Sequence, residues 1–508
     1  MLFNSPMFGA FLIATFAIFW LLKRHRLPRV LFLVGASYGF YFYGTYDAAR
    51  EQPVPMGPFA WSVLCLGIIF VGSTIDFWVG KQLGKTTHPT GRKALLLLSI
   101  VYYLGVLSVF KYWNFAFDSI AELAHALGVP LSPVHLRLVL PFGISFFTFE
   151  TMSYTIDVYR RELEPADRYL DYLLFVCFFP HLVAGPIVRP RSMLPQFRTV
   201  PVYDANKQAE GLWLIGTGLV KKVVIGDTLA VNHVNRVFDN PERFSSIEVL
   251  VAVYAYAVQI YADFSGYTDV ALGSARLFGY ELPRNFDAPY TAKNLQEFWH
   301  RWHISLSTWL RDYLYIPLGG SRGSSFLTYR NLLITMVLGG LWHGASWNFV
   351  IWGALHGVAL GGTRMWQRWR NRSAPLPEGE SAPLQSRRGG PAAAPGSVLG
   401  GIVSTFLTFQ YVCFAWIFFR AASFAHARLI LGRIATAGMG TTNLAPKVVV
   451  ILLLAMVVHF LPRPWIETLR GWFTRTPAVV QGVFLAAVAI ALHLAAGAKA
   501  EPFVYGQF

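Results

Sequence analysis

Four histidines, His300, His303, His343 and His356, fall within residues 298–356, together with several tryptophans and a Ser/Arg/Asp/Tyr group. Histidine is the side chain best suited to exchanging a proton near neutral pH. The surrounding chain reads as membrane, where an ionisable group is costly and faces a protein interior or a watery cavity in which it acts. These residues therefore point to proton-transfer chemistry.

His343 lies in Gly-Gly-Leu-Trp-His-Gly-Ala-Ser-Trp (339–347). Gly339, Gly340 and Gly344 permit close approach of backbone or ligand, and Trp342 and Trp347 can wall an apolar slot. A histidine kept from water favours the neutral form that a general base needs. The plainer alternative is a core histidine bonded to a neighbouring carbonyl. His300 and His303 are three apart, on one face if the segment is helical, with Ser307 one turn beyond and Glu297 a turn back. HxxH can be half a metal site, but no second ligand cluster or HExxH follows, so no metal is expected. His303, next to Trp302 and followed by Ser305, is the better site candidate, and His300 and His356 read as structural. Arg311-Asp312-Tyr313 has two readings: an internal salt bridge that permits burial of a helix end, or a polar lining for a phosphate-bearing donor. The same applies to Arg322 and Arg330. No Walker loop, GxSxG elbow or GxGxxG after a strand is present.

The elements that must position these residues are apolar. The 508 residues are 54% hydrophobic and 14% charged, with mean hydropathy +0.43. Length would allow three soluble domains, but repeated apolar runs predict one polytopic α-helical body. Its 41 Phe, 23 Tyr and 16 Trp suit helix ends at membrane interfaces. The net charge of +16 is scattered over short loop clusters, which set topology or meet anionic lipid and argue against nucleic acid. Cys65, Cys177 and Cys413 each lie in an apolar run and offer neither a disulfide framework nor CxxC.

The run at 7–22 is followed by Lys23-Arg-His-Arg26 and Arg29, the reverse of a cleavable signal peptide, and predicts an outside N-terminus. Further spans are predicted near 30–46, 58–80, 94–110, 113–127, 136–157, 169–188, 210–232, 248–278, 331–345, 347–366, 398–420, 446–462 and 478–498. Allowing for broken ones, 11–13 transmembrane or re-entrant helices are expected. Breaks are predicted at Pro141-Phe-Gly-Ile-Ser145, Pro180–Pro186 and Ala262–Asp269. Residues 281–330, where polar groups alternate with aromatics, predict amphipathic or re-entrant helices. A Pro/Gly/Ala-rich loop over 371–397 divides a core, 1–370, from C-terminal helices, 398–508.

Several stretches carry a resemblance. These are 298–320 (Phe-Trp-His-Arg-Trp-His-Ile-Ser through Ile-Pro-Leu-Gly-Gly), 329–332 (Tyr-Arg-Asn-Leu) and 339–344 (Gly-Gly-Leu-Trp-His-Gly). With 140–150, 156–160, 179–186 and 263–269, they resemble the membrane-bound O-acyltransferase family, in particular its bacterial alginate O-acetylation branch. The resemblance covers about residues 1–365. It implies an all-α fold around a central tunnel, and an O-acetyltransferase drawing on a cytoplasmic thioester, acetyl-CoA, with no tightly bound cofactor. The family's essential tunnel histidine maps onto His343, and its second histidine onto His303. Trp302, Ser305, Trp309, Arg311, Asp312, Tyr313, Asn331 and Trp342 are then candidate linings of the substrate and donor path. The resemblance further implies a bacterial inner-membrane location, an extracytoplasmic acetyltransferase partner and an exported polysaccharide acceptor. The rival expectation is a polysaccharide or proton-coupled transporter, which predicts inverted repeats that the sequence does not display.

Overall fold

A backbone withdrawn from water must pair its own N–H and C=O groups, and long apolar runs achieve this as helices. The computed structural model describes residues 3, 5–51, 54–136, 138–183, 185–372 and 398–495, and every regular element among them is helical. Gly57–Lys85, Pro89–Ala126, Ser246–Leu277 and Val398–Arg420 are long and apolar enough to cross a membrane. Pro446–Phe460 and Arg463–Arg475, bent by 95°, make a fifth if taken as one span. Large apolar side chains such as Ile13, Val101, Leu453 and Val457 face outward, as lipid contact requires. The architecture is that of a multi-pass helical membrane protein.

The other expected spans are helices too, but shorter, broken or more polar. Arg26–Glu51 carries Arg26, Arg29, Asp47, Arg50 and Glu51. The span expected over 136–157 becomes helical only at Ile144, because Pro141 and Gly143, the latter at φ 68°, hold the chain in a turn. The span expected over 169–188 stops at Cys177, and Pro180 sits in a separate four-residue turn, Phe179–Leu182. Residues 281–330 form short helices, Leu295–Arg301 and Ile304–Leu310, then a π-turn, Arg311–Tyr315. The linker expected over 371–397 lies, from 373 onward, outside the described residues.

Ser246–Leu277 is the most buried of the long helices. It runs unbroken through 262–269, where a break is expected, because Asp263 and Asp269 are paired with Lys222 and Lys221 and leave the helical ladder intact. It packs backbone to backbone on Ala205–Leu219: a Cβ on Gly273 would meet the Gly211 oxygen at 2.5 Å, and one on Gly218 the Gly266 oxygen at 2.6 Å. Small residues at such crossings let dispersion contacts replace the hydrophobic drive that lipid does not supply. Two buried cations find partners in different ways. Lys222 bridges Asp227 (2.7 Å) and Asp263 (2.5 Å). Arg29, fully buried, donates to the carbonyls of Lys23 and Thr199 at 2.8 and 2.9 Å. Pairing of this kind is what permits ionic groups inside.

Candidate active site

His343 is the last residue of Ser325–His343, a helix opened by a Ser324 cap. This helix forms a hairpin with Trp347–Arg372 through the turn 344–346. Glycine is required at the hairpin contact, since a Cβ on Gly340 would lie 2.2 Å from the Phe349 oxygen and one on Gly353 2.3 Å from the Met336 oxygen. The buried His343 ring is walled by Trp342, Trp352 and Phe419, with ring centroids at 5.0, 5.2 and 5.3 Å. Trp347, expected to wall the same slot, is more than half exposed.

His303 arrives from the other side. Its ring lies 6.5 Å from that of His343 and is fully buried among Phe264 (4.7 Å), Trp342 (6.0 Å) and Phe146 (6.4 Å). The expected shared face of His300 and His303 is not formed. Leu295–Arg301 ends before His303, which takes a left-handed conformation (φ 43°), and a new helix starts at Ile304. His300 consequently lies exposed on the first helix while His303 turns inward. Glu297 pairs with Arg301 at 2.7 Å.

The break is held by Asn285. Its Oδ1 accepts from the Ser305 N–H (3.2 Å), the Ser305 hydroxyl (2.9 Å) and His303 Nδ1 (3.2 Å). A backbone N–H can only donate, so this atom is the amide oxygen, and His303 must carry its proton on Nδ1. That leaves Nε2 as the acceptor nitrogen. Ser305 in turn accepts from the Ile187 N–H at 3.0 Å, which ties the 185–189 strap to the site. Beside it Glu150, buried, accepts from the Val188 N–H at 2.9 Å and lies 3.1 Å from His181.

An aromatic wall leads away from the histidines. Trp342 stacks on Phe149 (5.3 Å), Phe149 on Trp309 (3.8 Å), and Trp309 contacts Tyr313 (5.0 Å). The Trp309 indole donates to the Phe149 carbonyl at 2.9 Å. At the far end the Tyr313 hydroxyl donates to Asp157 (2.7 Å), and the guanidinium of Arg189 covers its ring at 4.4 Å. Asp312 pairs with Arg311 (2.7 Å) and Arg189 (3.2 Å), and Arg191 pairs with Asp157 (3.2 Å). Arg311, Asp312 and Tyr313 thus form, with Arg160, Arg189 and Arg191, a basic rim at the far end of this wall from His343. Asn331 is also removed: it lies roughly 18 Å along the helix from His343 and donates to the Gly320 carbonyl at 3.1 Å. Trp302 packs on Trp416 at 5.1 Å. His356 accepts from the Trp299 indole at 3.3 Å on Nδ1.

Sequence reasoning missed Asn285, Trp352 and Phe419. Asn285 stood among the polar residues of a segment already marked as unusual, whereas an aromatic in an apolar run gives no signal beyond core packing. Among the described residues no group of three or more His, Cys, Asp or Glu could hold a metal ion.

A family model described as MBOAT, membrane-bound O-acyltransferase family, matches residues 124–385. A probable alginate O-acetylase of Pseudomonas aeruginosa is 41% identical over 365 residues, 71% of this chain and 65% of that protein. The chain therefore spans slightly less than two thirds of that relative's length. A peptidoglycan O-acetyltransferase of Helicobacter pylori is 33% identical over 88% of this chain and 82% of its own. A teichoic acid D-alanyltransferase of Bacillus subtilis is 27% identical over 58% of this chain and 72% of its own.

Proposed function

The chain belongs to the membrane-bound O-acyltransferase family, and from that premise we propose that it moves an acetyl group from cytoplasmic acetyl-CoA across the membrane for O-acetylation of an exported polysaccharide. The observation that carries this reading is the buried His343–His303 pair, which ends an aromatic wall and is held from two separate helical units. The relatives named for alginate and for peptidoglycan share acetyl as the group moved and a polysaccharide as the acceptor.

His343 is the general base in this reading. Its neutral imidazole takes the proton of an acceptor hydroxyl as that oxygen attacks the thioester carbonyl. The tetrahedral intermediate collapses with cleavage of the C–S bond, and the imidazolium returns the proton to the departing thiolate. Attack by the acceptor's own oxygen needs no serine nucleophile on the enzyme. His303 is the supporting residue: with Nδ1–H given to Asn285, its Nε2 is suited to accept a hydrogen bond from a hydroxyl or imidazole beside it. The water-poor, aromatic surroundings limit hydrolysis of the thioester.

Charge supports the sidedness. Lys81, Lys85, Arg92 and Lys93 surround the 86–88 connection and mark it as cytoplasmic. Arg92 donates to the Val158 and Tyr159 carbonyls at 3.3 and 2.7 Å, which brings the Arg160–Tyr313–Arg189 rim to that side. Phosphates of a thioester carrier fit such a rim, and the Tyr313–Trp309–Phe149–Trp342 wall leads from it to His343. From Lys93 to Lys111 the helix climbs roughly 27 Å, close to the ~30 Å of a hydrocarbon core. A cavity of ≈ 300 Å³ lined by Phe110, Lys111, Leu140 and the 344–346 turn then lies toward the extracytoplasmic side, where an acceptor or an acetyltransferase partner would meet the acyl group. The protein is placed in the bacterial inner membrane on this reading.

The test is His343→Ala in purified, detergent-solubilised protein whose melting matches wild type. Radiolabelled acetyl-CoA should give no transfer beyond background. Transfer at the wild-type rate would overturn the assignment of His343.

A further inference from the structure

The helix that presents His343 ends without a cap of its own. Gly344 is extended (ψ 150°), so the chain leaves with no left-handed turn to return N–H groups to the last carbonyls. Those carbonyls still need donors, and the helix end carries partial negative charge. Both needs are met from a distant segment. The Tyr112 hydroxyl donates to the Leu341 carbonyl at 2.9 Å, and Lys111 Nζ to the carbonyls of Trp342 (2.7 Å) and His343 itself (3.1 Å). Lys111 and Tyr112 belong to the π-turn Ser108–Tyr112 inside an otherwise α-helical stretch. A π-turn winds more residues per turn than an α-helix, so consecutive side chains diverge less and both reach one helix end.

We propose that Lys111 is a positioning residue for His343, its ammonium fixing the last helical turn and with it the imidazole, and the proposal rests on the reading of His343 as base. Lysine suits the place. Its compact head offers three donors, which can serve two carbonyls at once, and its charge complements the helix terminus. An apolar side chain of similar length would fill the volume and leave two carbonyls unserved. The head also borders the ≈ 300 Å³ cavity along with Phe110, Leu140 and Phe349, so a small soluble cation can reach the same carbonyls if the side chain is cut back.

Steady-state acetyl transfer by Lys111→Met, Lys111→Arg and Lys111→Ala tests this, with His343→Ala alongside. Lys111→Met should lower kcat by about 10- to 10²-fold, the effect of a base misplaced by about 1 Å, with KM for acetyl-CoA unchanged. Lys111→Arg should keep most of the turnover, and Lys111→Ala should regain turnover when propylammonium is added. Wild-type kcat in Lys111→Met, or a rise in KM alone, would overturn the proposal. Should Lys111→Met fail to fold, Lys111→Ala with and without propylammonium decides, and absence of amine-dependent turnover overturns it. An active His343→Ala would instead sink the reading of the base, whereas an inactive His343→Ala beside a fully active Lys111→Met sinks the role of Lys111 alone.

Discussion

Gly339 and Gly340 are adjacent, yet a methyl group on each should have very different consequences. On Gly340 the new Cβ would stand 2.2 Å from the Phe349 oxygen and 3.1 Å from the Gly353 Cα, both backbone atoms of the hairpin partner. To restore ordinary contact near 3.4 Å, the two helices must open by about 1.2 Å, since backbone cannot rotate aside. His343 is one turn further along the opened helix. Overpacking costs about 1–3 kcal/mol, partly offset by the ~0.5–1 kcal/mol that alanine gains over glycine in a helix. The net loss of stability is then at most about 2.5 kcal/mol, small enough to leave folded protein. The rate should suffer more, because misplacement by about 1 Å can cost about 10²-fold. On Gly339 the nearest atom is the Leu310 Cδ1 at 3.0 Å, a side-chain tip that can rotate. Gly339→Ala should therefore stay within about threefold of wild type. Acetyl transfer from acetyl-CoA, with melting in detergent as the folding control, measures both. If Gly340→Ala is as active as Gly339→Ala, the glycine contact does not position His343.

Three further perturbations isolate single interactions. Lys222→Met leaves Asp263 buried without its cation and should cost about 3–5 kcal/mol, part of it regained in Lys222→Met/Asp263→Asn; equal unfolding midpoints for Lys222→Met and wild type in detergent would refute the pairing argument. Asn285→Leu removes the acceptor of the Ser305 N–H and His303 Nδ1–H, at about 1–3 kcal/mol for each orphaned donor, and should reduce kcat, while Asn285→Asp keeps the acceptor and should melt closer to wild type. His303→Gly should be about 1 kcal/mol more stable than His303→Ala, because glycine takes φ 43° without penalty. Both His303 variants should lose turnover alike, and an equal melting temperature would count against strain at this residue.

Much of this architecture is legible in the sequence because lipid imposes simple rules. Apolar runs become helices, and Pro141, Gly143 and Pro180 interrupt them where the chain is expected to break. The segment 281–330 also announces itself by its polar residues. The count of spans is less legible, since hydropathy treats a broken or charged helix such as Arg26–Glu51 as equivalent to a clean one. The site is read only in part. Spacing of three puts His300 and His303 on one face only along a continuous helix, and histidine, though enriched among left-handed residues, takes that conformation too seldom to mark position 303 in advance. Arg311-Asp312-Tyr313 is ion-paired, yet at a partly exposed rim rather than at a buried helix end, and its partners Arg189, Arg160 and Asp157 come from elements more than a hundred residues earlier. Lys111 is invisible for a similar reason: a lysine in an apolar run looks like an interface residue until the helix end it serves is placed beside it.

The histidine pair draws its walls from the whole chain: Phe146, Phe264, Trp342, Trp352 and Phe419 come from five different helices. The last of these lies beyond residue 385, where the match to the family model ends. Phe419 touches His343, Trp352 and Trp416 at 5.1–5.3 Å, and Trp416 in turn packs on Trp302 at 5.1 Å, next to His303. Asn348, just past the His343 turn, donates to the Ala421 carbonyl at 2.7 Å. The helix Val398–Arg420 therefore closes one side of the histidine slot. A boundary drawn at the 371–397 linker separates stretches of sequence composition, whereas the burial of His343 depends on residues from both sides of it. Loss of this helix would open the slot to lipid or water, and a neutral imidazole in a dry site is what the proposed chemistry requires.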